Sequence, residues 1–504
     1  MPGKSARHPG AASNIFKGDA VVRVSRLRRK TSELATATAP ANIQQSGFSS
    51  AVPAVGPRKK SIRLTLWPLV AATFFMVSGG TYGTEDIVHG AGYGKAILIL
   101  LLTPLLWSLP TAFMIGELSS ALPFEGGYYA WVRRAMGNFW GFQEAWLSLV
   151  ASIFDMAIYP TLFVAYLTRM FPWFQENHRG VLVALGVVIV CAILNIMGVK
   201  VVSTTSLWLF FALSAPFAAI FVLAPFKIHA LANAVTKPTT SNVDILGGLL
   251  ICMWNYMGWD NASTIATEVE RPQRTYPRAM LWAVVIVCIT YVLPFAAMWI
   301  TGLPASAWET GAWADIAQLM GGPVLRIALV AGGMMSGFGM FNALVMSYSR
   351  LPLAMAQDGM LPKIFGKLHP KSRAPWVAIL ALAIGWGLAL NLGFERLVTL
   401  DIMIYGASLT LEFVALICLR IREPELKRPF RVPGGLFGAI AVGIPPTLLL
   451  GFAILRSERE VVLGMSALLF GLIVMGGGVV TYLINHAVKP AGWTQPEPKP
   501  ELAA

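Results

Sequence analysis

Residues 64–88 form an apolar run, yet Gly79, Gly80, Thr81, Tyr82 and Gly83 interrupt it, and Glu85 and Asp86 come directly after. A segment in lipid has no water to bond its backbone, so a spanning helix must satisfy its own N–H and C=O groups. A glycine cluster there breaks the ladder. Such a break persists only where it lines a cavity or is covered by protein. Glycines also serve simply to let two membrane helices pack closely. The threonine and the two carboxylates, costly at membrane depth, favour a break that works on a solute. Half-helices whose dipolar ends meet at a site are the transporter form of that device.

The rest of the chain extends the pattern. Its 504 residues are 56% hydrophobic and 13% charged, with a mean hydropathy of +0.63, whereas soluble domains carry about 25% charged residues. Apolar runs near the ~20 residues a bilayer needs predict an all-α polytopic membrane protein of about twelve spans. They cover residues 64–88, 95–122, 139–166, 181–197, 203–224, 245–266, 280–299, 324–348, 376–392, 397–419, 436–455 and 461–484.

A net charge of +14 suggests nucleic acid in a soluble protein. Here the basic residues gather in alternate loops instead. Arg133, Arg134, Lys200, Arg271, Arg274, Arg278, Arg350 and Arg420 fall in one set, and the other set is poorer. The positive-inside rule then places both termini in the cytoplasm, with no nucleic-acid partner implied. Residues 1–60 are basic, nearly acid-free and lack an apolar leader core, which predicts a disordered cytoplasmic tail. Residues 489–504 are Pro-rich and read the same way. Cys191, Cys252, Cys288 and Cys418 all lie in predicted spans and read as packing residues. The six histidines show no metal-ligand spacing. No cofactor or metal is implied.

The sixth span is interrupted too, at Trp254, Asn255, Tyr256, Met257, Gly258, Trp259, Asp260 and Asn261. Asn, Gly and Asp are poor helix formers. Breaks in spans one and six stand five spans apart, the mark of an inverted-repeat transporter. The expected transmembrane domain is then 61–488. Repeat one covers 64–224, repeat two covers 245–419, and the last two spans (436–484) are peripheral. In the third span Glu144, Ser148, Asp155 and Tyr159 share one helical face. Beyond the second break, Asp260, Ser263, Thr264 and Thr267 share another. The eighth span carries Gly332, Gly333, Ser336, Gly337 and Gly339, which suits close packing or cation coordination by exposed carbonyls.

At these residues the chain resembles the amino acid–polyamine–organocation superfamily, over about residues 62–485. Ser78 to Gly83 with Glu85-Asp86 is similar to that family's broken first helix. Gly116-Glu117-Leu118, Pro123, Gly126-Gly127-Tyr128 and Trp131 resemble the end of its second helix and the loop after it. Trp254 to Asp260, Glu268-Val269-Glu270-Arg271-Pro272 and Tyr276-Pro277-Arg278-Ala279 resemble its sixth helix and the adjoining loop. Ser349-Arg350 with Asp358-Gly359-Met360-Leu361-Pro362 resembles the loop after its eighth. Gly141-Phe142-Gln143-Glu144, Asp155, Tyr159-Pro160, Leu411 to Leu416, and Glu423-Pro424 with Lys427 to Pro433 are similar to the polyamine-uptake and L-type amino-acid group. The resemblance implies a five-plus-five inverted-repeat fold that moves small amines and amino acids by alternating access, without ATP. Some members place a lysine in the fifth helix; residues 203–224 contain none, and Lys200 lies just before them.

These readings meet at the two breaks. Backbone N–H groups near Gly79, Gly80, Thr81, Tyr82 and Gly83 suit an α-carboxylate, and carbonyls freed at each break suit an ammonium group. A polyamine instead wants several carboxylates with aromatic faces between them. Glu85, Asp155 and Asp260 are the candidate carboxylates. Tyr82, Tyr159, Trp254, Tyr256 and Trp259 are the aromatics, with Asn255 and Gly258 completing the site. Glu85, Glu144 and Asp155 are candidates for a coupling proton. Glu268, Glu270 and Arg271 are inner-gate candidates. The partners implied are a small amine or amino acid, the bilayer of a plasma or bacterial inner membrane, and a proton. Exchange without a coupling ion and a transport-dead nutrient sensor remain alternatives. A channel lacks a filter motif, and no catalytic motif marks an enzyme.

Overall fold

The computed structural model describes residues 64–124, 126–198, 205–233, 244–457 and 460–488, with backbone alone at 205–209, 265–268, 456 and 488. The expected tails, Lys200 and the Glu268 side chain lie outside the described residues. The described chain is almost wholly helical, as an all-α polytopic membrane protein must be.

Helix α1 spans Leu66–Val77 and stops where Ser78 turns extended, at φ −141° and ψ 131°. Residues 78–84 are not helical, and α2 starts at Glu85 and runs Glu85–Thr103. Gly92 bends α2 at φ 72°, so the first predicted span turns into the second with almost no loop. After a π turn at Pro104–Ser108, α3 covers Leu109–Ala121. Then come the amphipathic α4 (Gly127–Met136) and the long α5 (Asn138–Met170). Helices α6 (Arg179–Met197), α7 (Thr205–Leu223) and α8 (Ile245–Asn255) are next along the chain.

The second interruption lies after α8, at Tyr256, Met257 and Gly258. Beyond it, Trp259–Glu268 is a 3-10 helix rather than the expected α-helix. Its three residues per turn bring Ser263 into line with Asp260 and carry Thr264 off the shared face that α-helical spacing predicts; the Thr267 side chain lies outside the described residues. Helix α9 is Pro272–Ile300, and α10 is Trp313–Gln357 with a bend at Gly322. Helices α11 (Trp376–Ala389), α12 (Phe394–Arg422), α13 (Gly435–Ser457) and α14 (Ala467–Val488) complete the bundle. Residues 461–466, expected to begin the last span, instead form a small hairpin, Val461–Val462 with Met465–Ser466. Gly464, at φ 82°, makes its turn.

Among the described residues nine helical segments are long and apolar enough to cross a membrane, and Leu66–Val77 and Trp376–Ala389 are shorter apolar helices. Helix α5 lies at the centre, packed against α10 and α12. The half-helices pair crosswise: α1 touches the 3-10 segment, and α2 packs on α8. The glycines of α10 serve close approach. A Cβ on Gly332 would fall 2.0 Å from the Tyr82 hydroxyl, and one on Gly337 would fall 2.6 Å from the Tyr159 carbonyl.

Candidate functional site

The two breaks touch each other. The Asn255 amide donates to the Gly83 carbonyl at 3.3 Å. A Cβ on Gly258 would meet the Met76 carbonyl at 2.9 Å, and one on Gly83 would meet the Trp254 ring at 3.4 Å. Gly80, Gly83 and Gly258 all have φ between 85° and 89°, a region open to glycine and strained for other residues.

Side chains from the surrounding helices and from the first break itself bond several of the freed polar groups. The Ser336 hydroxyl donates to the Gly79 carbonyl at 2.7 Å, and the Trp313 indole donates to the Thr81 carbonyl at 3.1 Å. The Thr81 hydroxyl donates to the Thr290 carbonyl at 2.8 Å, and the Gly80 N–H reaches the Ser78 hydroxyl at 3.1 Å. At the second break the Tyr291 hydroxyl donates to the Asn255 carbonyl at 2.9 Å. The Gly258 N–H donates to the Tyr405 hydroxyl at 3.2 Å, and that hydroxyl donates to Asp260 Oδ1 at 2.5 Å.

Asp155 sits against this junction, 5% exposed. Its Oδ1 accepts from the Tyr159 hydroxyl at 2.8 Å and the Trp254 indole at 3.2 Å, and its Oδ2 accepts from the Tyr348 hydroxyl at 3.1 Å. The Tyr348 hydroxyl that donates to Asp155 also lies 3.5 Å from the amide of Asn261, next in the chain to Asp260. Asp155, Tyr159, Trp254 and Asp260 therefore form one constellation.

Glu85 does not join it. It is buried at the start of α2, accepts from the Tyr166 hydroxyl, and accepts from the Gly311 N–H at 3.1 Å. Beside it the Thr310 hydroxyl donates to Asp86 Oδ2 at 2.5 Å. Both carboxylates thus tie α2 to the segment before α10. Arg169 strengthens that closure through Asp315 at 2.8 Å and Glu309 at 3.0 Å. Tyr82 is buried edge-on to Tyr166 and Phe217, with ring centroids 5.2 and 5.0 Å away. The Tyr256 hydroxyl donates to the Leu100 carbonyl at 3.0 Å, and the Trp259 indole donates to the Tyr256 carbonyl at 2.7 Å. These last two aromatics hold the second break in shape.

Glu144 lies further along α5, buried, with its Oε1 accepting from Ser408 at 2.5 Å and Ser148 at 3.2 Å. At the inner-gate candidates the Glu270 N–H donates to the Leu64 carbonyl at 2.9 Å, strapping the chain just before α1 to the loop after the 3-10 segment. Glu270 and Arg271 line a cleft there with Thr65, Leu66, Arg274 and Arg278.

Helix α12 supplies residues that sequence reasoning missed. Asp401, Tyr405, Ser408 and Glu412 recur at spacings of four, three and four, one helical face. That face meets the Glu144–Tyr159 stripe of α5. Ser148 and Ser408 hydroxyls lie 2.8 Å apart, and Ser408 also donates to Glu144. The same periodicity that marks α5 marks α12. Asp401 and Glu412 are fully buried and accept no hydrogen bond among the described residues. None of Glu144, Asp155, Asp260, Asp401 and Glu412 forms an ion pair among the described residues.

A sequence profile described as amino acid permease matches residues 70–480. A polyamine transporter of Arabidopsis thaliana is 33% identical over 436 residues, covering 85% of this chain and 88% of that protein. A polyamine transporter of Oryza sativa subsp. japonica is 35% identical over 430 residues, covering 83% and 79%. A serine/threonine exchanger of Bacillus subtilis is 26% identical over 385 residues, covering 74% and 85%.

Proposed function

The chain belongs to the amino acid permease family and is an integral membrane transporter rather than an enzyme, and on that premise we propose that it carries an organic cation of the polyamine class by alternating access. In this reading the two halves, 64–224 and 245–419, are inverted repeats that rock about the paired breaks, residues 436–484 are peripheral, and both termini face the cytoplasm. One observation carries the cation assignment. Asp155, bonded to Trp254, and Asp260, bonded through Tyr405 to Gly258, both sit buried at the second break with no basic partner among the described residues. A carboxylate at membrane depth costs about 2.5–3.5 kcal/mol even on insertion scales, and an ammonium group from the substrate offsets that. Tyr159 and Trp254 add aromatic faces with ring centroids 6.0 Å apart, suited to a cation flanked by methylenes.

The first turn of α2 also speaks for a cation. A zwitterion needs a helix N-terminus for its carboxylate, and here Glu85 and Asp86 already occupy that turn. A proton gradient drives accumulation, with the proton carried by a buried carboxylate among Glu85, Glu144 and Asp155. Glu268, Glu270 and Arg271 close the inner side. The serine/threonine exchanger among the relatives supports a second reading, amino acid exchange without a coupling ion. Uptake of labelled putrescine, spermidine and serine into proteoliposomes, with and without an imposed pH gradient, decides between them. Gradient-stimulated putrescine or spermidine uptake is the expected result. Serine counterflow with no polyamine uptake overturns the cation assignment, and no flux of any of the three overturns the carrier reading.

A further inference from the structure

Glu144 and Glu412 stand opposite each other where α5 and α12 run antiparallel, about two helical turns beyond the junction of the breaks. Hydrogen bonds set the register: Arg422 near the end of α12 donates to the Ala135 carbonyl before α5, Ser408 bonds Ser148 and Glu144, and Glu412 lies one turn beyond Ser408 on the same face. Seven residues separate Tyr405, which holds the second break, from Glu412, or about 10 Å along the helix. Both carboxyls are sealed from solvent. Neither oxygen of Glu412 has a hydrogen-bond partner among the described residues, nor does Oε2 of Glu144. Ser408 and Ser148 both donate to the remaining Glu144 oxygen.

We propose that Glu144 and Glu412, with the hydroxyls of Ser148 and Ser408, form a coupling-cation site that holds one positive charge apart from the substrate. The proposal rests on the carrier reading above and names the place of its driving ion. Two like carboxylates buried together cannot both stay ionised without a compensating charge. The 2.8 Å Ser148–Ser408 contact lies between the pair and the junction of the breaks and leaves no room there for a methylene chain, which suits the pair to a proton or a small monovalent ion. The other titratable groups facing the pair are Tyr128 from α4, Tyr405 from α12 and Asp260 from the 3-10 segment.

Asp260 provides the link to the substrate. Its carboxylate meets α12 at Tyr405, between Asp401 and Ser408 on the acidic face. Through Tyr405 it is bonded to the Gly258 N–H at the break itself. A cation between the two glutamates lowers the repulsion that Asp260 experiences. An ammonium on Asp260 does the same for the glutamates, and whatever the net of this relief and the direct repulsion between two bound cations, reciprocal linkage makes the coupling equal in both directions.

The test compares the parent with Glu412→Gln and Glu412→Asp in proteoliposomes, reading putrescine and serine uptake under an inward proton gradient, an inward sodium gradient, or neither. In the parent one gradient stimulates uptake, and which one identifies the ion. In Glu412→Gln the ratio of driven to undriven uptake falls to about one, and Glu412→Asp restores it. An unchanged ratio in Glu412→Gln overturns the site while leaving the carrier reading intact. A parent that moves neither substrate overturns the carrier reading itself. Should the glutamine variant fail to fold, carbodiimide labelling of the parent supplies the second measurement, because the reagent modifies protonated carboxyls in apolar surroundings. Labelling at Glu144 or Glu412 that declines as pH or sodium rises is expected; labelling insensitive to both, or confined to other carboxylates, overturns the proposal.

Discussion

Asp155 accepts three hydrogen bonds, from Tyr159, Trp254 and Tyr348, contributed by three different helices. Hydrogen bonds to a charged group are worth about 1.5–3 kcal/mol each. The carboxylate is therefore held in one orientation while keeping lone pairs for a ligand. Asp155→Asn should lower polyamine uptake kcat/KM by about 10- to 100-fold, from the loss of one charged contact at 1.4 kcal/mol per decade, while a melting curve stays near the parent's. Tyr405→Phe should behave differently. Its hydroxyl serves both Gly258 and Asp260, so the change strands two buried polar groups and destabilises the fold by about 1–3 kcal/mol for each. The check is a lowered melting temperature together with reduced uptake.

At the scale of elements, the first break is kept open by packing from outside it. A Cβ on Gly79 would stand 1.9 Å from the Ser336 hydroxyl oxygen and 2.6 Å from the Met340 sulfur. Gly79→Ala should push α1 from α10 and lower stability by about 1–3 kcal/mol. Removing the hydroxyl in Gly79→Ala/Ser336→Ala should recover part of that loss, since the Ser336 Cβ stands off at 3.3 Å. The two changes are then non-additive, and a double-mutant cycle on melting temperatures measures the coupling. Both interruptions were legible in the sequence, because glycines joined by carboxylates or asparagines inside an apolar run go beyond what close helix packing needs. The 3-10 winding of Trp259–Glu268 was not. Its tighter turn is set by contact with α1 and by Tyr405, which lies well over a hundred residues away along the chain. The stripe on α12 was legible by the periodicity used for α5, and its significance came only with the two faces packed together.

Across the whole molecule, ion pairs outside the site set how the helices are stapled. Glu117 on α3 takes Arg420 of α12 in a two-pronged pair at 2.9 and 2.5 Å, Arg428 at 3.2 Å, and the Val432 N–H at 2.7 Å. Arg420 and Glu117 are almost wholly buried, at 2% and 0% side-chain exposure. Removing one partner of such a pair typically destabilises by about 3–5 kcal/mol. Glu117→Gln should therefore lower the melting temperature in detergent sharply, even though it lies outside the substrate constellation. A weaker staple joins α4 to the end of α12: Arg134 reaches both Glu423 oxygens at 2.9 and 2.7 Å. The Arg134 hydrogen bonds hold the Glu423 carboxyl below its usual pKa. A lowered folded-state pKa stabilises above the ordinary carboxylate value, near about 4.3, and that contribution disappears as pH falls through the folded value. Solvent screening keeps it under about 1 kcal/mol. Denaturation of the parent and Arg134→Ala from about pH 6 to about pH 3 should show a small stability gap that closes toward acid.

The sequence by itself determined that this chain lives in a bilayer, that its elements are helices, and that two of them are interrupted, because lipid leaves the backbone almost no alternative. It also singled out Asp155 and Asp260, since a carboxylate among apolar residues stands out without coordinates. Only the tertiary structure decided which carboxylates belong together. It set Glu85 against Tyr166 and Gly311, brought Asp401 and Glu412 to the α5 face, and gave Glu117 to Arg420. A carboxylate's role depends on which donors and charges stand within a few ångströms, and those come from helices distant in the chain whose rotation and register are set by packing.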